Sequence, residues 1–176
     1  SSLFARTRKE IQVHTDLDDK IWAAEVDRGQ IEQALLNLYV NAWQAMPAGG
    51  DLYLKTRNAK LDSSYVKPFK VEPGKYVKIS VSDTGVGIDK ETRKRIFEPF
   101  FTTKEMGRGT GLGLASVYGI IKSHGGYIDV SSGKDKGTTF TLYLPASEKK
   151  AVQEKVVSSE MFKGTGTILL IDDEEM

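Results

Sequence analysis

The stretch GRGTGLGLAS, residues 107 to 116, sets a glycine at every second position from Gly107 to Gly113 and then enters an apolar helical pattern. Glycine at that density loses much backbone freedom on folding, so it marks main chain that something must approach closely. The run ends where a helix begins, and a helix N-terminus offers free N–H groups and the positive end of the helix dipole. A polyphosphate cradled by main chain would use both features. A flexible hinge is the plainer reading, and the two are compatible. Neither G-x-x-x-x-G-K-[ST] nor G-x-G-x-x-G fits the run, which excludes the two better-known phosphate loops.

The flanking sequence supplies a sheet and helices. EIQVHTDL and KIWAAEVD read as two short strands around a polar turn at Asp18, Asp19 and Lys20. Asp27 with Gln30 three residues on has capping-box spacing. Ile31, Ala34, Leu35, Leu38, Ala42 and Ala45 then form a helical stripe that Pro47 and Gly49-Gly50 end. DLYLKTRN and KYVKISVS alternate as half-buried strands do, with a polar connection from Ala59 to Gly74 between them. A short helix is expected from Lys90 to Phe97. The next helix should turn Leu114, Val117, Tyr118 and Ile121 inward and end at Gly125. GYIDVSS and GTTFTLYLP form a hairpin over Gly133–Gly137. Strands and helices alternate without a βαβ rhythm, so an α+β fold with helices on one face of a mixed sheet is expected.

Composition narrows the function classes. With 25 basic and 24 acidic residues, nothing advertises a polyanion-binding surface, and no nucleic-acid partner is expected. The chain has no cysteine, which removes disulfides and thiolate metal sites and permits a reducing cytoplasm. No apolar run approaches the roughly 20 residues that span a bilayer. The residues after Ala146 are rich in Lys, Glu and Ser and read as a linker, 147 to 166, before a buried strand in TILLIDDEEM.

Three places carry candidate chemistry. Gln30, Gln33, Asn37, Asn41 and Gln44 lie on one line of the first helix, beside its core stripe. A solvated shoulder would read the same way, although Lys and Glu would serve a plain surface better. Amide oxygens suit a hard cation such as Mg²⁺ that already has phosphate ligands. In SDTGVGI, Asp83 at a strand end can accept from an exocyclic amine, while Gly85 and Gly87 let a flat ring lie against backbone; an Asp-Gly turn is the bland alternative. Lys104 and Arg108 stand beside the glycine run and are placed to meet phosphates. Phe97, Phe100 and Phe101 are core by default, or an apolar anchor for the loop.

Taken in order, QALLNLYVNAWQAMPAGG, DTGVGI, IFEPFFTTK and GTGLGLASVYGIIKSHGG resemble the catalytic ATP-binding domain of sensor histidine kinases. That domain belongs with the gyrase, heat-shock chaperone and mismatch-repair ATPases. The resemblance covers about residues 8 to 146, and NAWQAMP and FEPFFTTK are similar to the nitrogen-regulation branch. It implies a two-layer α/β sandwich (the Bergerat fold) with ATP between helices and sheet. It implies Mg²⁺ on Asn41 supported by Asn37, and the adenine amino group on Asp83 with Gly85 and Gly87 along the base. Thr138 would join the adenine's water network. Lys104 and Arg108 would neutralise the terminal phosphates, which Gly109, Gly111, Leu112 and Gly113 would wrap. Gln44, Ala45, Ile88, Phe97, Thr102, Thr103, Thr110 and Leu114 complete the implied nucleotide contacts.

The chain departs from the family pattern in ways that matter. Gln44 stands where many members carry Lys or Arg, so a cationic phosphate contact is missing or supplied elsewhere. Asn37 stands where the ATPase relatives place a Glu general base. An amide cannot deprotonate water, which favours phosphotransfer over hydrolysis. His14 and His124, the chain's 2 histidines, have structural readings, and the acceptor histidine is expected on a dimerisation hairpin upstream of Ser1. GTGTILLIDDEEM resembles the first strand of a response-regulator receiver, residues 167 to 176, with Asp172 and Asp173 as its acidic pair; a buried strand with a solvated end is the plain alternative. The expected function is ATP-dependent phosphorylation of that histidine, in the cytoplasm, with a receiver as partner. An ATPase of the gyrase kind and a non-catalytic nucleotide-binding module are the alternatives.

Overall fold

The computed structural model describes residues 10–67, 71–104 and 109–149. The expected linker beyond residue 149, the acidic strand and Arg108 lie outside the described residues.

Five strands form one mixed sheet. Strand β1 (Ile11–Asp16) pairs in parallel with β2 (Gly50–Leu61), and β2 pairs antiparallel with β3 (Gly74–Asp83). Strand β5 (Thr138–Pro145) lies between β3 and β4 (Tyr127–Ser132), antiparallel to both, giving the order β1-β2-β3-β5-β4. Helix α1 (Arg28–Ala45) and helix α4 (Gly113–Ser123) pack on one face. Two single turns, α2 (Ser63–Val66) and α3 (Lys90–Arg93), sit in the connections.

The period of two explains which face is covered. Leu52, Val81, Phe140, Leu142 and Ile128 point under the helices, where Ala34, Leu38 and Ala42 of α1 and Val117 and Ile121 of α4 meet them. The Asp27 carboxylate caps α1 by accepting from the Gln30 amide at 2.9 Å, a bond whose loss typically costs about 1 kcal/mol. His124 ties the far end of α4 to that cap, because its Nε2 accepts from the Asp27 amide at 3.0 Å. His14 stacks on Tyr53 at 4.7 Å and bonds the Asp51 carboxylate at 2.7 Å. Both histidines therefore occupy structural positions.

Five expectations need correction. KIWAAEVD is not a strand and contributes one isolated bridge, Ala24 to Ala146. Side chains of β2 take over its backbone groups: Asn58 Oδ1 accepts from Trp22 N at 2.8 Å, and Asn58 Nδ2 donates to Lys20 O at 2.8 Å. The polar connection is shorter than expected, because β2 continues to Leu61 and pairs back to Gly74. There Ala59 and Leu61 pack on Tyr76, Tyr127 and Tyr143, which form a small cluster apart from the main core. The short helix ends at Arg93 rather than Phe97, and Tyr118 is exposed, not inward, its ring tilted against that of Phe97 at 5.3 Å. Residues 147 to 149 are also fastened to the fold. The Ser147 amide donates to Ala23 O at 2.7 Å, and Lys149 pairs with Glu25.

Candidate functional site: a cleft between α1, α4 and the end of the sheet

A cleft of about 610 Å³ opens between the helices and the C-terminal end of β3, a volume suited to a small-molecule ligand. At the sheet end, Leu52, Asp83, Thr138 and Ser132 form one cross-strand row over β2, β3, β5 and β4. Asp83 and Thr138 both line the cleft. Asp83 Oδ1 accepts from the amides of Gly85 at 2.8 Å and Thr138 at 3.3 Å, while Oδ2 takes no hydrogen bond among the described residues. Burial pushes the Asp83 carboxyl above its ordinary range, and the two amides only partly offset this.

The loop after Asp83 is shaped by close backbone approach. A Cβ on Gly85 would stand 2.5 Å from Ala45 O, and the Val86 amide donates to the same carbonyl at 3.0 Å. Gly85 thus seats the loop on the end of α1 and is absent from the cleft lining. Gly87 adopts φ +70° against the Gly133 carbonyl and does line the cleft.

At the other end the amide line meets the glycine run. Asn37 Nδ2 donates to Gly113 O at 3.3 Å, joining α1 to the start of α4, and its Oδ1 accepts from Gln33 at 3.3 Å. Asn41 Nδ2 donates to Asn37 O at 2.8 Å, and its Oδ1 has no partner among the described residues. Helix α4 begins at Gly113 with no side-chain cap on its first amides. Lys104 faces the cleft and donates to Gln44 Oε1. Burial lowers its pKa, and no carboxylate among the described residues pairs with it. Gly111, at φ +66°, accepts from the Phe100 amide at 3.0 Å, and a Cβ there would lie 2.3 Å from Phe100 C. The two ends of the intervening loop therefore meet at their base.

The cleft also brings Gln44, Ala45, Ile88, Thr102 and Thr103 together with Gly109, Thr110 and Leu114. Phe97 is outside it, packed on the core, and Leu112 is 44 % exposed just before α4. Of the other two phenylalanines, Phe101 lines the cleft under the Arg95 guanidinium at 4.3 Å, whereas Phe100 is 75 % exposed. Val40, Val86, Thr92, Ile96 and Phe140 line the cleft as well and escaped the sequence reading. Phe140 and Ile96 carried a core signal only; Thr92 carried none.

A mixed sheet with its helices on one face and a cleft between the layers defines the catalytic ATP-binding fold of histidine kinases. The chain belongs to the family described as histidine kinase-, DNA gyrase B-, and HSP90-like ATPase, which its residues 26–148 match. It is 44% identical over 95% of its length to the sensor kinase CckA of Brucella abortus, and 41% identical over 79% to the sensor histidine kinase ZraS of Escherichia coli. It spans 19% and 26% of those two relatives. Among solved structures, the catalytic domain of histidine kinase ThkA overlays with a TM-score of 0.61 at 31% identity, covering 77% of this chain and 79% of that one. Full-length ShkA in complex with AMPPNP overlays with a TM-score of 0.62 at 28% identity, covering 80% of this chain and 27% of that one. The chain is thus an ATP-binding catalytic domain of the sensor histidine kinase type. Among the described residues no helix is long and apolar enough to cross a membrane.

Proposed function

We propose that this domain holds ATP·Mg²⁺ in the cleft and delivers the γ-phosphoryl group to a histidine on a separate dimerisation hairpin. One observation carries the reading: a single cleft joins a desolvated carboxylate with a free oxygen to an uncapped helix N-terminus. Asp83 Oδ2 fits an exocyclic amine, with Gly87, Ile88 and Thr138 beside the base. The first amides of α4, with Gly109 and Gly111, fit the phosphates. Lys104 supplies a cation from the loop where Gln44 offers only an amide, and Arg108 is assigned the same role by family resemblance. The free Oδ1 of Asn41 suits Mg²⁺, an oxygen-seeking ion. When bound, that ion would neutralise charge on the phosphates.

The chain's own part in catalysis is positioning and charge neutralisation, as phosphoryl transfer generally requires. Asn37 is engaged at both ends of its amide, and an amide removes no proton from water. This supports transfer to another nucleophile over hydrolysis. The two histidines are bound into the fold, so the acceptor is assigned to the hairpin.

The wider protein we read as a homodimeric hybrid kinase of the nitrogen-regulation type, working in the cytoplasm with a receiver domain. NAWQAMP and FEPFFTTK support the branch. IDDEEM supports the receiver, and the match to the Brucella kinase, at 95% of this chain, runs past the residues of the family domain.

Incubation with γ-labelled ATP and a purified dimerisation hairpin tests the reaction. Acid-labile label on the hairpin histidine is the expected result. Steady phosphate release by the chain alone, with an unlabelled hairpin, would favour a gyrase-type ATPase. Binding without either product would favour a docking module.

A further inference from the structure

Ser132, the last residue of β4, joins three polar groups at the sheet end of the cleft. The Ile88 amide donates to its Oγ at 2.8 Å. The same oxygen lies 2.9 Å from the carbonyl of Gly137 and 2.9 Å from Thr138 Oγ1. A hydroxyl has one hydrogen and two lone pairs. The Gly137 carbonyl cannot donate, so it receives the Ser132 hydrogen. The Ile88 amide occupies one lone pair, and the second accepts the hydrogen of Thr138. Thr138, 4 % exposed and lining the cleft, is thereby left with lone pairs alone to offer. On the neighbouring strand, the Asp83 carboxylate also presents an acceptor through Oδ2.

We propose that Ser132 is a specificity-determining positioning residue: by consuming the Thr138 hydrogen, it makes this end of the cleft an all-acceptor surface that takes a 6-aminopurine and rejects a 6-oxopurine. The inference rests on the cleft being a purine-nucleotide site. At position 6 an amino group brings two hydrogens to these acceptors, whereas an oxo group brings only lone pairs and leaves the base a single donor beside it, the ring N1–H. Without Ser132, the Thr138 hydroxyl is free to turn its hydrogen into the cleft and would then serve an oxo group. Loss of Ser132 should therefore change preference as well as affinity.

Calorimetric titration with ADP and inosine diphosphate, which carries a 6-oxo group, tests this. The unaltered chain should favour ADP by at least about tenfold, the worth of one good hydrogen bond. Ser132→Ala should narrow the ratio toward unity, with ADP weakened and inosine diphosphate held or improved. Ser132→Thr restores the hydroxyl and should restore the ratio. Thr138→Val removes the acceptor while keeping a β-branched residue in the strand; it should narrow the ratio too, and it carries the test if Ser132→Ala fails to fold. Equal weakening of both nucleotides in Ser132→Ala, or an unchanged ratio in Thr138→Val, overturns the proposal. A chain in which Asp83→Asn leaves ADP binding intact overturns the nucleotide reading itself.

Discussion

Asp83→Asn is expected to weaken ADP binding by about 10- to 100-fold, the range for losing a hydrogen bond to a charged group, while leaving the fold at least as stable as before. An asparagine keeps the Oδ1 acceptor that serves Gly85 and Thr138. It replaces Oδ2 by an NH₂, so donor would face donor at the amino group of the base. Stability responds in the opposite sense. Burial raises the native pKa of Asp83 above its unfolded value, so its contribution to stability is fully present below the unfolded pKa and lost as pH rises through the native one. At neutral pH the buried charge is a cost that asparagine removes. Binding has its own pH limb: ADP affinity should fall as pH drops through the raised native pKa of Asp83, where the carboxylate takes a proton. Calorimetry across that range checks the limb, which Asp83→Asn should lack, and a thermal melt checks the stability.

Asn41→Ala should abolish most of the magnesium dependence of ATP binding and slow phosphoryl transfer by roughly 100-fold or more, the scale on which one preorganised group opposite developing charge acts. The side chain is held with its oxygen free. Its Nδ2 back-bonds to Asn37 O at 2.8 Å, leaving Oδ1 free. Asn37, one turn earlier, has its own oxygen engaged by Gln33 and its nitrogen by Gly113. ATP affinities with and without magnesium should converge in the variant. If they stay as far apart as in the unaltered chain, the ion is held elsewhere.

The fold was legible wherever one period dominated. The stripe from Ile31 to Ala42 turned one side of α1 to the sheet, and in β3 and β5 the period of two set Val81, Phe140 and Leu142 under the helices, a side that a one-residue slip of the strand would reverse. KIWAAEVD misled because its apolar residues imitate a strand, while Asn58, far away in sequence, supplies the partners a ladder would have supplied. The lining of the cleft was legible where chemistry left few choices, as at Asp83, Asn41 and Gly111. Gly85 shows the limit: a glycine that admits a ligand and one that admits a helix end look alike in sequence, and here the obstacle is the Ala45 carbonyl. Phe97, Phe100 and Phe101 also look alike, yet one is packed on the core, one exposed and one in the cleft. Ser132 left no signal at all, since its importance lies in how three hydrogens are shared.

The central claim is that one adenine nucleotide lies along this cleft from Asp83 to the start of α4. Amide chemical-shift mapping of the ¹⁵N-labelled chain with ADP and magnesium tests it most directly. The account predicts that the amides of Gly87, Ile88 and Thr138 shift together with those of Gly111, Gly113 and Leu114, at one common affinity. Shifts confined to one end, or gathered around a different surface such as the tyrosine cluster at Tyr76, would contradict it.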